Sequence, residues 1–133
     1  MITFSQLGSL GRLGNQLFQY AALKSLGLKN EYVVKIPSPE GMSWHGQDCL
    51  LGEFNLECEY LVPSDLNSIK YTYTEPHLFK YDSGFWTLPD NVDVSGFFQS
   101  TLYFHDFSSQ IRKELTPREI WREEATKMLR EIK

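Results

Sequence analysis

Residues 1–36 read MITFSQLGSLGRLGNQLFQYAALKSLGLKNEYVVKI, and the fold class turns on how they are parsed. MITFSQL (1–7) is short, apolar and strand-like. GSLGRLGN follows, with Gly8, Gly11 and Gly14 at three-residue spacing. QLFQYAALKSL (16–26) then reads as a helix: Asn15 is a residue type that caps helix starts, and the alanine-rich body has no β-branched residue. Leu17, Phe18, Ala21, Ala22, Ser25 and Leu26 make a broad apolar-to-small face suited to covering a sheet. Gly27 stands where a glycine would stop the helix, with Leu28 packing back across the turn. Tyr32 to Ile36 is a second strand, closed by Pro37. Strand, turn, helix, strand is a βαβ unit, which implies a right-handed crossover and a parallel sheet.

Outward from this unit the pattern thins and then recovers. Residues 37–48 (PSPEGMSWHGQD) read as a loop. Leu50 to Leu61 carries an apolar patch around Phe54 and Leu56 whose type the sequence leaves open. Ile69 to Thr74 alternates as a strand should and ends before Pro76. Phe79, Tyr81, Phe85 and Trp86 lie in a turn-rich stretch, where aromatics serve as core and loop anchors. Residues 92–98 (VDVSGFF) form the next strand, with Gly96 marking a close backbone approach or a bend out of the sheet. Phe104, Phe107, Ile111 and Leu115 share one helical face. Thr116-Pro117-Arg118-Glu119 then has the form of a capping box with proline at the first helical position. It opens a last helix with Trp121, Ala125, Met128, Leu129 and Ile132 as its apolar stripe and Glu123–Lys127 as a favourable pair.

Composition bounds what this chain can be. Its 133 residues allow one ordinary domain, and 41% apolar with 23% charged residues exclude disordered, collagen-like and membrane-spanning classes. Lys+Arg 13 against Asp+Glu 17 gives a net charge of −4, so no basic field favours nucleic acid. The basic excess is confined to residues 112–133, where basic and acidic side chains alternate as on a solvated helix face. Cys49 and Cys58 form no CxxC, and His45, His77 and His105 are scattered, so neither a disulfide framework nor a metal site is expected. No signal-like start and no apolar run of bilayer length is present. A cytoplasmic location is expected.

The glycine loop carries the clearest chemistry. Glycines between a first strand and a first helix let backbone amides approach a ligand, and the helix dipole favours an anion there. Arg12 adds a planar fork suited to phosphate oxygens. Asn15 and Gln16 add neutral amides for hydroxyls or phosphate oxygens. The spacing is GxxGxxG, and neither a P-loop nor the dinucleotide fingerprint. Phosphate or nucleotide binding stands beside a plainer alternative, a turn that only permits tight strand–helix packing.

Gly11-Arg12-Leu13-Gly14-Asn15-Gln16-Leu17-Phe18-Gln19-Tyr20-Ala21 closely resembles the opening motif of the α-1,2-fucosyltransferase family. Three further segments resemble that family in the same order. They are Leu51-Gly52-Glu53-Phe54-Asn55-Leu56, Gly96-Phe97-Phe98-Gln99-Ser100 with Tyr103-Phe104, and Ile111-Arg112-Lys113-Glu114-Leu115-Thr116. The resemblance implies an α/β fold: a Rossmann-like parallel sheet with flanking helices, the amino-terminal domain of a two-domain GT-B-type glycosyltransferase. Residues 1–115 would be that domain. Residues 116–133 would be the helix leading toward a carboxy-terminal donor-binding domain.

The implied reaction is inverting transfer of L-fucose from GDP-fucose to a galactoside hydroxyl. It implies Gly11, Arg12, Gly14, Asn15 and Gln16 at the donor's pyrophosphate and sugar, with Gln99 and Ser100 as a second contact. Ordinary strand-to-helix capping stands as the alternative for Gln99 and Ser100. The resemblance implies no metal requirement and names no catalytic base. The family's His-x-Arg-Arg-x-Asp signature is not in the sequence: His45, His77 and His105 are followed two residues on by Gln, Phe and Phe. Such an arginine is worth several kcal/mol (order of magnitude) to a transition state, so the isolated chain is expected to be inactive, with a separate chain supplying that half. The implied setting is a bacterial or phage protein without a membrane anchor, acting in the cytoplasm or peripherally at the membrane where glycans are assembled. The non-enzymatic alternative is a truncated remnant or a nucleotide- or glycan-binding module. A different transferred sugar is a third, because fold does not fix substrate.

Overall fold

The computed structural model describes residues 1–38, 51–77 and 80–131, together with the backbone of 43–44, 47–48 and 132. The expectations at His45, Cys49, Leu50 and Phe79, and for the Ile132 side chain, lie outside the described residues.

Five strands form an all-parallel sheet: β1 (Ile2–Thr3), β2 (Val34–Ile36), β5 (Glu59–Tyr60), β6 (Tyr71–Thr74) and β7 (Val92–Ser95), in the order β5-β2-β1-β7-β6. A separate antiparallel pair, β3 (Ser43–Trp44) and β4 (Gln47–Asp48), occupies part of the stretch read as a loop. Helices α1 (Leu13–Asn30) and α2 (Ser108–Glu114) flank the sheet, and α3 (Glu119–Ile132) closes the described chain. The fold is therefore α/β and Rossmann-like. Register follows the burial pattern. Ile2 lies opposite Val34, Thr3 is in register with both Lys35 and Asp93, and Val94 pairs with Tyr73. Ile2, Phe4, Val34, Ile36, Val92 and Val94 all bury on the α1 side. The alternate positions face the other side, as the two-residue period of a strand requires: Ser5, Lys35, Asp93 and Ser95 are half-buried there and Thr3 is fully buried.

Helix α1 is longer at both ends than the 16–26 pattern predicts. It starts at Leu13 with Arg12 as the flanking cap residue, and Asn15 lies inside it. Its stop is Glu31 in the left-handed region (φ 58°), not Gly27. Gly27 is instead a point of close approach, because a Cβ there would meet Val34 Cγ2 at 2.4 Å. Its carbonyl accepts the Tyr32 amide at 3.0 Å, closing the helix. The buried set is also wider than the expected face and includes Gln16, Gln19, Tyr20 and Leu23. The reason is two-sided contact: β1 and β2 meet α1 on one side, and α2 with the short helical turns at 51–53, 83–87, 101–103 and 105–107 meet it elsewhere.

The capping box at 116–119 does not form. Pro117 bridges Phe54 in antiparallel fashion, with Asn55 N–H donating to Thr116 O (3.2 Å) and Arg118 N–H to Glu53 O (2.9 Å). Those backbone bonds hold 116–118 extended, so α3 begins at Glu119. The stretch expected as a single helical face at 104–115 consists of a short helical turn at 105–107 followed directly by α2. The aromatics do anchor the core as expected. Phe85, Phe98 and Tyr103 are fully buried with ring centroids 5.1–5.2 Å apart.

Behind α1 lies a polar knot that the sequence did not reveal. Glu114 is fully buried, and its carboxylate accepts from the Tyr20 hydroxyl, from Glu57 N–H (2.9 Å) and from Gln110 Nε2 (2.7 Å). Lys24 Nζ stands 3.7 Å away. Burial, with the neighbouring Cys58 and Glu114, holds the Tyr20 hydroxyl protonated far above the ordinary tyrosine range. The knot ties α1, α2 and the approach to β5 together.

Candidate functional site

In the strand order β5-β2-β1-β7-β6, connectivity runs outward from β1 in one direction and arrives at β7 on its other side. The turns leaving β1 and β7 therefore emerge side by side at the carboxyl ends of neighbouring strands, the place where open α/β sheets bind ligands. The first turn is the glycine loop, and the second is Gly96–Ser100.

The glycine loop is wound tightly. Leu7 N–H donates to Phe4 O (3.0 Å), and the Ser9 and Leu10 amides both donate to Gln6 O (2.9 and 3.1 Å). Gly11 has φ +100°, and a Cβ there would strike the Asn15 side chain at 2.5–2.9 Å. That position accepts glycine alone on both counts. Gly14 differs: its φ is ordinary, and a Cβ would meet nothing within 4 Å. Packing within this chain does not require a glycine there, and its open side leaves room at the helix start. Arg12 sits beside it as the cap residue, exposed, with an extended backbone.

The second turn is strained. Gly96 has φ +145° and would put a Cβ 2.6 Å from Glu75 Cβ, so the sequence reading of close approach and of a bend holds on both sides. Two residues later Phe98 adopts φ 51°, a conformation that costs a non-glycine residue of order 1–3 kcal/mol. It is held there by its buried ring and by its N–H donating to Glu75 Oε1 at 3.2 Å.

The two turns meet. Gln99 Nε2 donates to Asn15 Oδ1 at 2.5 Å, joining candidate site residues 84 positions apart. Gln16 is fully buried and its amide donates to Gly11 O at 3.3 Å, so it braces the loop from behind. Ser100 Oγ accepts from Leu102 N–H at 3.2 Å, the capping alternative that the sequence left open. The candidate residues thus divide into an open group (Arg12, Gly14, Asn15, Gln99) and a supporting group (Gly11, Gln16 and the capping Ser100).

Sequence reasoning missed Gln19 as a site residue. It is fully buried, and its Nε2 bridges both turns, donating to Leu10 O (2.7 Å) and Gly96 O (3.1 Å). Its Oε1 has no hydrogen-bond partner among the described residues. The available signal was a second glutamine three residues after Gln16, on a helix otherwise apolar at that height. Among the described residues no group of three or more His, Cys, Asp or Glu side chains is placed to hold a metal ion, and no helix is long and apolar enough to cross a membrane.

Comparison of the chain with protein-family models, with curated proteins and with solved structures finds no match.

Proposed function

We propose that this chain is the amino-terminal, crevice-forming domain of a GT-B-type inverting glycosyltransferase resembling the α-1,2-fucosyltransferases. The glycine loop would face the pyrophosphate and sugar of GDP-fucose. The observation that carries the proposal is the Asn15–Gln99 contact, which unites two segments of the resemblance at the carboxyl edge of the two central strands. Arg12 would complement phosphate charge. The open side of Gly14 would admit a ligand oxygen to the helix start, where the amides and the dipole favour an anion. Asn15, fixed by Gln99, would orient a sugar or phosphate oxygen.

The His-x-Arg-Arg-x-Asp signature is not in the sequence, so transfer would need that arginine from outside these 133 residues. The acceptor would be a galactoside on a surface-glycan precursor handled in the cytoplasm. Calorimetric or NMR titration with GDP and GDP-fucose tests the donor site. Millimolar or tighter binding is expected, weakened about tenfold in Arg12→Ala, the loss of one charge-assisted contact of about 1.4 kcal/mol. No binding at millimolar ligand would remove the proposal. Binding without transfer, in the presence of a chain carrying the arginine signature, would favour a nucleotide-binding module instead.

A further inference from the structure

All-parallel sheets usually have both faces covered. Here α1, α2 and the aromatic cluster lie on one face; on the other, where Thr3 is fully buried and Asp65 reaches Lys35, strands β1, β7 and β6 leave a cavity of about 220 Å³. Six polar side chains line it: Ser5, Gln6, Thr72, Thr74, Asp93 and Ser95. We propose that this cavity binds one hydroxylated sugar ring, with Asp93 as the main acceptor of its hydroxyl protons.

The polar set is organised. Asp93 is pinned by Ser5 through both oxygens, Oδ1 accepting the Ser5 N–H at 2.8 Å and Oδ2 the Ser5 hydroxyl at 2.6 Å. A carboxylate offers about four lone-pair directions, so roughly two remain for a ligand. Ser95 Oγ donates to Gln6 Oε1 at 2.9 Å, which fixes that amide and turns its NH2 group to donate. The Thr72 and Thr74 hydroxyls can do either. A fixed carboxylate beside an amide donor and hydroxyls matches the alternating donors and acceptors of a sugar's neighbouring hydroxyls. The same carboxylate repels phosphate, and among the described residues no lysine or arginine lines the cavity to offset it. The volume lies below the roughly 300–1,000 Å³ range of drug-sized pockets, which fits one ring.

The cavity adjoins the crevice. Gln6, one of its walls, accepts through its carbonyl the amides of Ser9 and Leu10 that wind the glycine loop. Assigning the ring to the transferase's acceptor rests on the proposed function, whereas sugar binding at Asp93 does not.

The test is an amide NMR titration of the 133-residue chain with methyl β-galactoside and, separately, with GDP. Galactoside is expected to shift Ser5, Gln6, Asp93 and Ser95, and GDP to shift residues 11–16. Asp93→Asn should weaken galactoside binding at least tenfold and Thr74→Val several-fold, with GDP binding unchanged in both. Should Asp93→Asn fail to fold, Thr74→Val carries the same comparison. Galactoside shifts that are absent, that fall on the glycine loop, or that survive both substitutions would overturn the proposal. Protein-concentration-dependent shifts at these amides without sugar would also overturn it, showing the face to be covered by a second copy. Galactoside binding without GDP binding would leave the cavity standing and remove the donor site.

Discussion

The chain's two longest helices invert the usual relation between pattern and burial. Helix α3 has the cleaner amphipathic stripe, yet Trp121, Met128 and Leu129 are 49%, 61% and 63% exposed. Helix α1 has glutamines at 16 and 19 on what should be its inner side, yet it is the buried axis of the molecule. An amphipathic pattern says which face of a helix is fit for burial. It does not supply the surface that buries it. Helix α1 has that surface on two sides, because β1 and β2 lie against it and the turns and α2 close over it. Most of its buried polar groups find a bond: Gln16 to Gly11, Gln19 Nε2 to Leu10 and Gly96, and Tyr20 to Glu114, while Ser25 Oγ and Gln19 Oε1 have no hydrogen-bond partner among the described residues. Helix α3 is fastened only near its start, through the 116–118 bridge and the Trp121 indole N–H on Glu53, among the contacts described.

Three substitutions test this contrast, in decreasing order of effect. Glu114→Ala removes the carboxylate that accepts from the Tyr20 hydroxyl, the Glu57 amide and Gln110 Nε2 behind α1, and leaves Lys24 with the Glu57 carbonyl alone among the described residues. It should cost about 3–5 kcal/mol, the range for removing one partner of a buried charged network. Urea unfolding would measure it, and a loss below 1 kcal/mol would show the knot to be incidental. Next, Leu23→Ala in α1 should cost about 2–4 kcal/mol, whereas Leu129→Ala in α3 should stay within about 0.5 kcal/mol. Equal losses in that pair would mean that α3 is docked in solution, and the contrast would fail.

The smallest effect is at Asp65, whose carboxyl is held below the ordinary range by the Val62 backbone N–H (2.8 Å) and then by Lys35 (3.1 Å). A carboxyl lowered in the fold contributes stability above its unfolded-state pKa and loses it as pH falls through the folded one. Asp65→Asn should therefore lower the melting temperature slightly near neutral pH. The gap to the parent should close in acid below the usual carboxylate range, as thermal unfolding across a pH series would record. A gap that persists in acid would mean that the pair is not what the substitution removed.

Much of the site-bearing half was legible because its signals are local. The 1–36 unit, the strand starting at Val92 and the bend at Gly96 each follow from neighbouring residues, although that strand ends at Ser95 and not at Phe98. The boundaries failed where distant backbone intervened. Thr116 and Pro117 carry a helix start, but Glu53–Asn55 pairs with them and pushes α3 to Glu119. Gly27 has the chemistry of a helix stop, but Val34 requires its missing Cβ within the helix. In the candidate site, Arg12, Asn15 and Gln99 stand out as residue types, while Gln19 does not. Its importance lies in bonds to two carbonyls 9 and 77 residues away.

By itself, then, the sequence determined the α/β class and the glycine turn after the first strand. Those depend on propensity, periodicity and backbone sterics, which act over a few residues. The tertiary structure alone decided the order β5-β2-β1-β7-β6, the meeting of Asn15 with Gln99, the polar cavity around Asp93, and which of two helices is buried. Each of these is a contact between groups far apart in the chain. Its free energy depends on what arrives on the other side, and no local pattern encodes that.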